Sequence, residues 1–395
     1  MASNFKLGLI INPVAGMGGK IGLHGTDNEL AQLAISQGAK KVSFDRTHRT
    51  ISMLLPLQNS IDFYTPGGVM GGDLLESLGI KFTEIKFSQD LITEGTNLLH
   101  TQSCVSSMIE QNIDAIIFAG GDGTARDIFA IVGNKVPILG IPSGVKMRSG
   151  VFANYPEHAA LILQDVLAER EENNVFKLID ADILDAAMDS KEYSASEFYG
   201  NALTFKAPSR IANPKVNSHS NQDVALMELT ASLSKNLEPD RLYLFGPGQS
   251  TKAILDNLGS RYSGKSPAGV GAYYGGEIIG QDLSELAILD LLNRFCSSQG
   301  FKPPLLYLGV IGGQGFLLGR GNQQLSFEVI SKIGIENIYV LANSGKINQI
   351  VPSRLYVDFG DAVHLKIFGD YVKVHVAIDR TLVCKVLSSG VVPKI

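Results

Sequence analysis

The run Ala115-Ile116-Ile117-Phe118-Ala119 is unbroken in apolar residues and stops at Gly120-Gly121-Asp122-Gly123-Thr124. A run without a period of two needs cover on both faces, as a strand of a parallel sheet carrying helices on each side has. The three glycines around one acid allow φ > 0 and let another molecule approach the main chain without Cβ interference. Thr124 at an N-cap with Asp127 three residues on, an aspartate variant of the capping box, predicts a helix that begins where the glycines end. Its unsatisfied N–H groups and positive dipole end point at the same place, which suits phosphate.

The rest of residues 5–150 repeats this plan of short apolar strands alternating with helical segments. Strands are predicted at 7–12, 61–64, 114–119 and 136–140, with a more exposed, alternating one at 81–86. Glycine or proline clusters close several of them: Asn12-Pro13-Val14-Ala15-Gly16-Met17-Gly18-Gly19, Thr65-Pro66-Gly67-Gly68, Gly120 to Gly123, and Gly140-Ile141-Pro142-Ser143-Gly144. In an open α/β sheet such turns share the carboxyl edge, where ligands bind.

With 395 residues, two domains are expected: 1–155, a Rossmann-like nucleotide-binding domain, and 156–395, a β-rich α+β domain with an α/β insertion at about 240–345. An amphipathic helix over 156–172 is expected to link them. Strands at 176–184 and 197–205 open the second domain, and 354–386 returns to period-two strands. The net charge of −5 and the absence of a run of five like charges exclude general affinity for nucleic acid or anionic membranes. Cys104, Cys296 and Cys384 lack metal-ligand or CxxC spacing and read as buried reduced thiols. No signal peptide or membrane span is read, so a soluble, cytoplasmic protein is expected.

Each candidate residue has a plain reading beside its functional one. The glycine loop could be a tight turn, but a strand before it and a capped helix after it favour phosphate binding. Asp122 could brace a turn, hold Mg²⁺, or accept the proton of a hydroxyl that attacks a phosphate. No GxxxxGK[ST] loop is present; Lys20 is a surface charge or a phosphate ligand. Lys146 and Arg148, in the basic loop after Ser143-Gly144, are placed near Asp122 by topology. Gly246-Pro247-Gly248 and Gly312-Gly313-Gln314-Gly315 through Arg320, Asn322, Gln323 and Gln324 either brace an interdomain loop or touch a ligand.

Together, the segments Ile11 to Gly19 with Gly25-Thr26-Asp27, Phe118 to Asp127, and Gly140 to Met147 with Gly150-Val151-Phe152-Ala153 resemble the ATP-NAD kinase-like proteins, including relatives associated with acetoin catabolism. Gly246-Pro247-Gly248 and Gly312 to Gln324 resemble signatures of the same subfamily. The resemblance implies a Rossmann-like NAD kinase N-terminal domain, a β-rich second domain and an active crevice between them. It implies Asp122 as the base for a ribose 2′-hydroxyl, with Mg²⁺ bridging the triphosphate; Asp122 as a Mg²⁺ ligand is the expectation from its own loop. It also implies Asn12, Gly16, Gly18, Gly19, Gly120, Gly121, Gly123, Thr124, Ser143, Gly144 and Lys146 along the phosphates. The resemblance does not extend to the Asn-Glu or Asn-Asp pair with which typical NAD kinases grip adenine and ribose.

The expected activity is therefore transfer of a phosphoryl group from ATP or polyphosphate to NAD or a related hydroxyl acceptor, with Mg²⁺ as cofactor. The expected partners are a small-molecule nucleotide and further copies of the chain in a homo-oligomer, with neither nucleic acid nor membrane. The alternatives are a nucleotide-binding sensor without turnover and a lipid or small-molecule kinase of the same superfamily. A Rossmann oxidoreductase lacks the GxGxxG that should follow the first strand.

Overall fold

The computed structural model describes residues 3–21, 42–86, 98–145, 147–172, 174–186, 196–207, 210–211, 224–259, 269–296, 302–310, 314–350, 354–360 and 368–388. β1 (Phe5–Ile11), β2 (Ile61–Thr65), β3 (Phe82–Glu84), β4 (Ala115–Gly120) and β5 (Ile138–Pro142) form a parallel sheet in the order β3-β2-β1-β4-β5. Every residue of β4 is buried, as its unbroken apolar run requires, and the alternating β3 is an exposed edge. The chain winds outward from β1 to β3 and restarts beyond β1 at β4. The loops after β1 and β4 therefore diverge and leave a crevice between their carboxyl ends.

Among the described residues, five helices flank these strands: α1 (Val42–Ser52), α2 (Gly72–Ser77), α3 (Leu98–Glu110), α4 (Asp122–Val132) and α5 (Pro156–Glu171). α1 and α5 cover one face, where Ile51, Ala159 and Leu163 pack on Leu7, Leu9 and Ile117. α3 and α4 cover the other, where Cys104, Val105 and Ile128 pack on Ile10, Ile116 and Phe118. Burial pushes the Cys104 thiol up to about 12, so it behaves as a small core hydrophobe. The antiparallel hairpin β6 (Leu178–Ala186) and β7 (Ser196–Phe205) adds Ala181, Ile183 and Ala202 to the core beside α4.

The second half of the chain builds a nine-stranded mixed sheet among the described residues, in the order β10-β9-β8-β11-β13-β15-β16-β14-β12. Its elements in chain order are α6 (Val224–Lys235), β8 (Tyr243–Phe245), α7 (Gln249–Asn257), β9 (Val270–Tyr274), β10 (Glu277–Leu283), α8 (Glu285–Cys296), β11 (Leu305–Gly309), β12 (Phe316–Leu318), α9 (Phe327–Ile333), β13 (Ile338–Leu341), α10 (Ser344–Gln349), β14 (Arg354–Val357), β15 (Tyr371–Ala377) and β16 (Arg380–Ser388). β8, β11, β13 and β15 lie side by side and parallel, which is α/β winding; the β9–β10 and β15–β16 hairpins are antiparallel. The α/β segment at 240–345 and the period-two tail share this one sheet, joined where Val340 pairs with Val374 and Leu341 with His375.

Buried polar groups fasten the two halves. Arg46 Nη1 on α1 donates to Asp358 Oδ2 and to the Pro142 carbonyl, each at 2.8 Å. Burial opposes ionisation of Asp358, but Arg46 and the Gly360 amide hold its carboxyl below the usual range. Arg49 bridges Glu157 and the Gly360 carbonyl. Tyr155 meets Phe316 and Tyr356 edge to face and donates to the Leu387 carbonyl at 2.9 Å. Removing Asp358 would strand a buried guanidinium, whereas Lys20, with its side chain 57% exposed, pairs with Glu285 near water. Asp358→Ala is expected to destabilise the protein by about 3–5 kcal/mol, and Lys20→Ala by less than about 1 kcal/mol. Denaturant unfolding midpoints check this; equal shifts would show that the buried pair is not a main fastening.

Candidate functional site

β4 delivers Asp122 to the crevice, but the local geometry differs from the sequence expectation. The helix begins at Asp122 with Gly121 as its extended N-cap, so Thr124 lies in the first turn rather than at the cap. Thr124 Oγ1 instead accepts from Asn12 Nδ2 at 3.0 Å, while Asp127 pairs with Arg126. The capping box does not form because both of its side chains have other partners. The Asn12–Thr124 bond ties the loop after β1 to the helix after β4 across the switch point. Asn12 Oδ1 also accepts from the Val14 amide, which fixes the start of its own loop.

The glycines serve different purposes. Gly16 has φ +81°, and a Cβ there would lie 2.0 Å from the Ser143 carbonyl oxygen, so the first loop is pressed onto the loop after β5. A Cβ on Gly120 would lie 2.5 Å from the Thr124 side chain. At Gly123 a Cβ would meet nothing closer than Asp185 Oδ2 at 3.8 Å. The fold therefore requires Gly16 and Gly120, while the internal packing at Gly123 leaves room for a methyl. Ser143 and Gly144 donate their amides to the Gly120 carbonyl at 3.2 and 2.9 Å. Asn12, Gly16, Gly120, Gly121, Gly123, Thr124, Ser143 and Gly144 thus gather at the carboxyl edge of β1, β4 and β5.

Gly18 and Gly19 are buried in the first loop, with Gly19 against the Gln323 side chain. Lys20 turns to Glu285 at 3.1 Å, which explains it without a ligand. Lys146, and the sequence candidates Gly25 to Asp27, Gly312 and Gly313, lie outside the described residues.

Asp122 is 5% exposed, and its carboxylate is clasped by the loop that follows Lys146. Oδ1 accepts from the amides of Arg148 at 2.8 Å and Ser149 at 3.0 Å and from the Ser149 hydroxyl at 2.9 Å; Oδ2 accepts from the Arg148 amide at 2.8 Å. Burial pushes the carboxyl up to about 7, against the downward pull of the Ser149 and Arg148 amides and the Ser149 hydroxyl, with a further upward push from Asp185. Beside it, Arg126 spans Asp127 and Asp185 at 3.1 and 2.7 Å and lies over the Tyr199 ring. A Mg²⁺ ion bound directly to Asp122 would have to displace those donors, and Asp127 and Asp185 are taken by Arg126. Among the described residues no group of three or more His, Cys, Asp or Glu could hold a metal ion. The described residues therefore do not fit Mg²⁺ as a ligand of Asp122.

The Gln314 to Gln324 segment takes the bracing role that the sequence left open. Gln314 Nε2 donates to the Met147 carbonyl. Gln323 Nε2 donates to the Val145 carbonyl at 3.2 Å, and the Gly321 amide to the same carbonyl at 3.0 Å. Arg320 Nη2 donates to the Ala153 carbonyl at 2.9 Å, and its guanidinium stands 4.1 Å over the Phe316 ring. The loop carrying Arg148 and Ser149 is thus held by Asp122 on one side and by the second sheet on the other. Sequence reasoning missed Ser149 and Asp185, which are brought to Asp122 by the 147–150 loop and by β6. The only local signal was that Ser149 sits in the basic loop next to Gly150.

The five-stranded parallel sheet, with its crevice at the switch point between β1 and β4, is an open α/β architecture. Residues 7–171 match the family model of the ATP-NAD kinase N-terminal domain. No curated protein matches the chain. If Gly123 is open because a ligand approaches it, Gly123→Ala will keep or slightly raise stability, by about 0.4–1 kcal/mol, and still weaken nucleotide binding at least about tenfold. Gly120→Ala will lower stability. Paired melting and titration calorimetry read both; unchanged affinity in Gly123→Ala would remove that position from the ligand surface.

Proposed function

We propose that the protein is a phosphotransferase that moves a phosphoryl group from ATP, or from polyphosphate, to a hydroxyl of NAD, the ribose 2′-hydroxyl giving NADP, or of a related acceptor. The observation that carries the reading is a buried carboxylate, clasped by two amides and a hydroxyl, at the first turn of a helix within the segment that matches the ATP-NAD kinase N-terminal domain; burial pushes its pKa up to about 7. A general base works best when its pKa lies near the working pH. In the reaction, the acceptor oxygen attacks the terminal phosphorus and its proton passes to Asp122. The bond from that phosphorus to the bridging oxygen breaks, and its electron pair leaves on the ADP, or on the shortened polyphosphate.

Oδ2, with one donor against three on Oδ1, is the oxygen we assign to receive the proton. Asn12, Gly16, Gly18, Gly19, Gly120, Gly121, Gly123, Thr124, Ser143, Gly144 and Lys146 are assigned to the phosphates and their surroundings. Phosphoryl transfer depends chiefly on positioning and charge neutralisation, which amides at a helix N-terminus supply. No step is assigned to Mg²⁺ on this chain. Among the described residues no helix is long and apolar enough to cross a membrane.

A second reading, a nucleotide-binding sensor without turnover, draws support from the same clasp, because a carboxylate taken by four donor contacts can serve as a loop anchor alone. Incubation with ATP and a panel of hydroxyl acceptors separates the two. The kinase reading predicts turnover that falls by about 10²–10⁴ in Asp122→Asn. It also predicts a kcat that rises with pH through about 7, where Asp122 loses its proton. Tight nucleotide binding without transfer, or turnover untouched by Asp122→Asn, would overturn it.

A further inference from the structure

Ser149 is fully buried, and three polar groups converge on its hydroxyl oxygen. Asp122 Oδ1 lies at 2.9 Å, the Leu184 carbonyl oxygen at 2.9 Å, and the Leu184 amide donates to Ser149 Oγ at 3.0 Å. The β6–β7 register slips between Ile183 and Leu184, so the backbone of Leu184 meets Ser149 at a bulge. The next turn of the loop is pinned too, since the Gly150 amide donates to the Asp182 carbonyl at 2.9 Å. A serine hydroxyl has one hydrogen to donate. Here two acceptors, one carboxylate and one carbonyl, stand at equal distance from it.

We propose that Ser149 is a positioning residue for Asp122, whose single hydroxyl hydrogen points to Oδ1 while the carboxylate is ionised and swings to the Leu184 carbonyl once Asp122 has taken the acceptor's proton. The proposal rests on the kinase reading. The balance closes without another reactant. The acceptor's proton goes to Oδ2, the acceptor oxygen bonds to phosphorus, and the broken phosphoanhydride bond leaves its electron pair on the departing phosphate. The hydroxyl hydrogen of Ser149 changes acceptor but stays on Ser149. In both states Oδ1 keeps its two amide donors, so the carboxyl does not rotate while its charge changes. Leu184, held by its own amide to Ser149 Oγ, keeps that oxygen in place throughout.

A positioning role differs from a merely structural one in depending on Asp122. Kinetics of phosphate transfer from ATP are to be measured for Ser149→Ala and Ser149→Cys in the native background, and for Ser149→Ala in Asp122→Asn. Cysteine fills nearly the same space with a weak donor, so its melting midpoint guards against a folding defect. In the native background both variants should lose about 10- to 100-fold in kcat, with the KM for ATP within about twofold. In Asp122→Asn, which has no proton to accept, the further loss should be under about twofold. The same fold loss in both backgrounds, or full activity in Ser149→Cys, would remove the role and leave the kinase reading intact. Absence of transfer to any acceptor by the native protein would remove the kinase reading and this role with it.

Discussion

The clasp between Asp122 and the amides of Arg148 and Ser149 is the constraint on which the rest of the site depends. It joins the start of α4 to the 147–150 loop, and it does so with a carboxylate removed from water. Burial of that carboxylate opposes ionisation, while the amides and the Ser149 hydroxyl favour it. The balance leaves the group near neutrality instead of deep in the carboxylate range. A raised carboxyl pKa stabilises the fold most below the unfolded value of about 4. That contribution is lost as pH rises through about 7. The site is therefore held at some cost to stability in the pH range where a base would act.

The second sheet completes the clasp from behind. Gln314, Gly321 and Gln323 donate to carbonyls of the same loop, and Arg320 donates to the strand-like segment that follows it. Arg46 then joins the Pro142 carbonyl, just before that loop, to Asp358 on the second sheet. Buried polar groups bonded across the junction of the two sheets fix one relative geometry, because any shift breaks several of these bonds at once. Asp122 can be held this closely because neither half of the chain positions the loop alone.

Much of the first sheet was legible in the amino-acid sequence. Unbroken apolar runs mark β4 and β5, alternation marks the edge strand β3, and glycine clusters mark the crevice, because these patterns report how many faces a strand buries and where backbone must approach closely. The placing of Asp122 beside Asn12, Ser143 and Gly144 followed from topology for the same reason. The helix start did not: Thr124 was expected at the cap, but Asn12 takes its hydroxyl, a contact between residues far apart in the chain. Lys20 read equally as a surface charge or a phosphate ligand, and its partner Glu285, at the start of α8, lies far along the chain. Ser149 shows only its place in a basic loop and Asp185 no local pattern, since the 147–150 loop and β6 bring them to Asp122 through contacts between distant parts of the chain. Arg320 and Gln323 read equally well as brace or ligand, and only tertiary contacts decide between those roles.

The central claim is that Asp122 Oδ2 faces the hydroxyl to be phosphorylated, and the most direct measurement is a structure of the protein with a non-hydrolysable ATP analogue and NAD bound together. The account predicts the triphosphate along the amides of Gly121 to Gly123 and a ribose hydroxyl within about 3.2 Å of Oδ2. A dinucleotide bound elsewhere, or Oδ2 turned away from every hydroxyl while both ligands occupy the crevice, would contradict it.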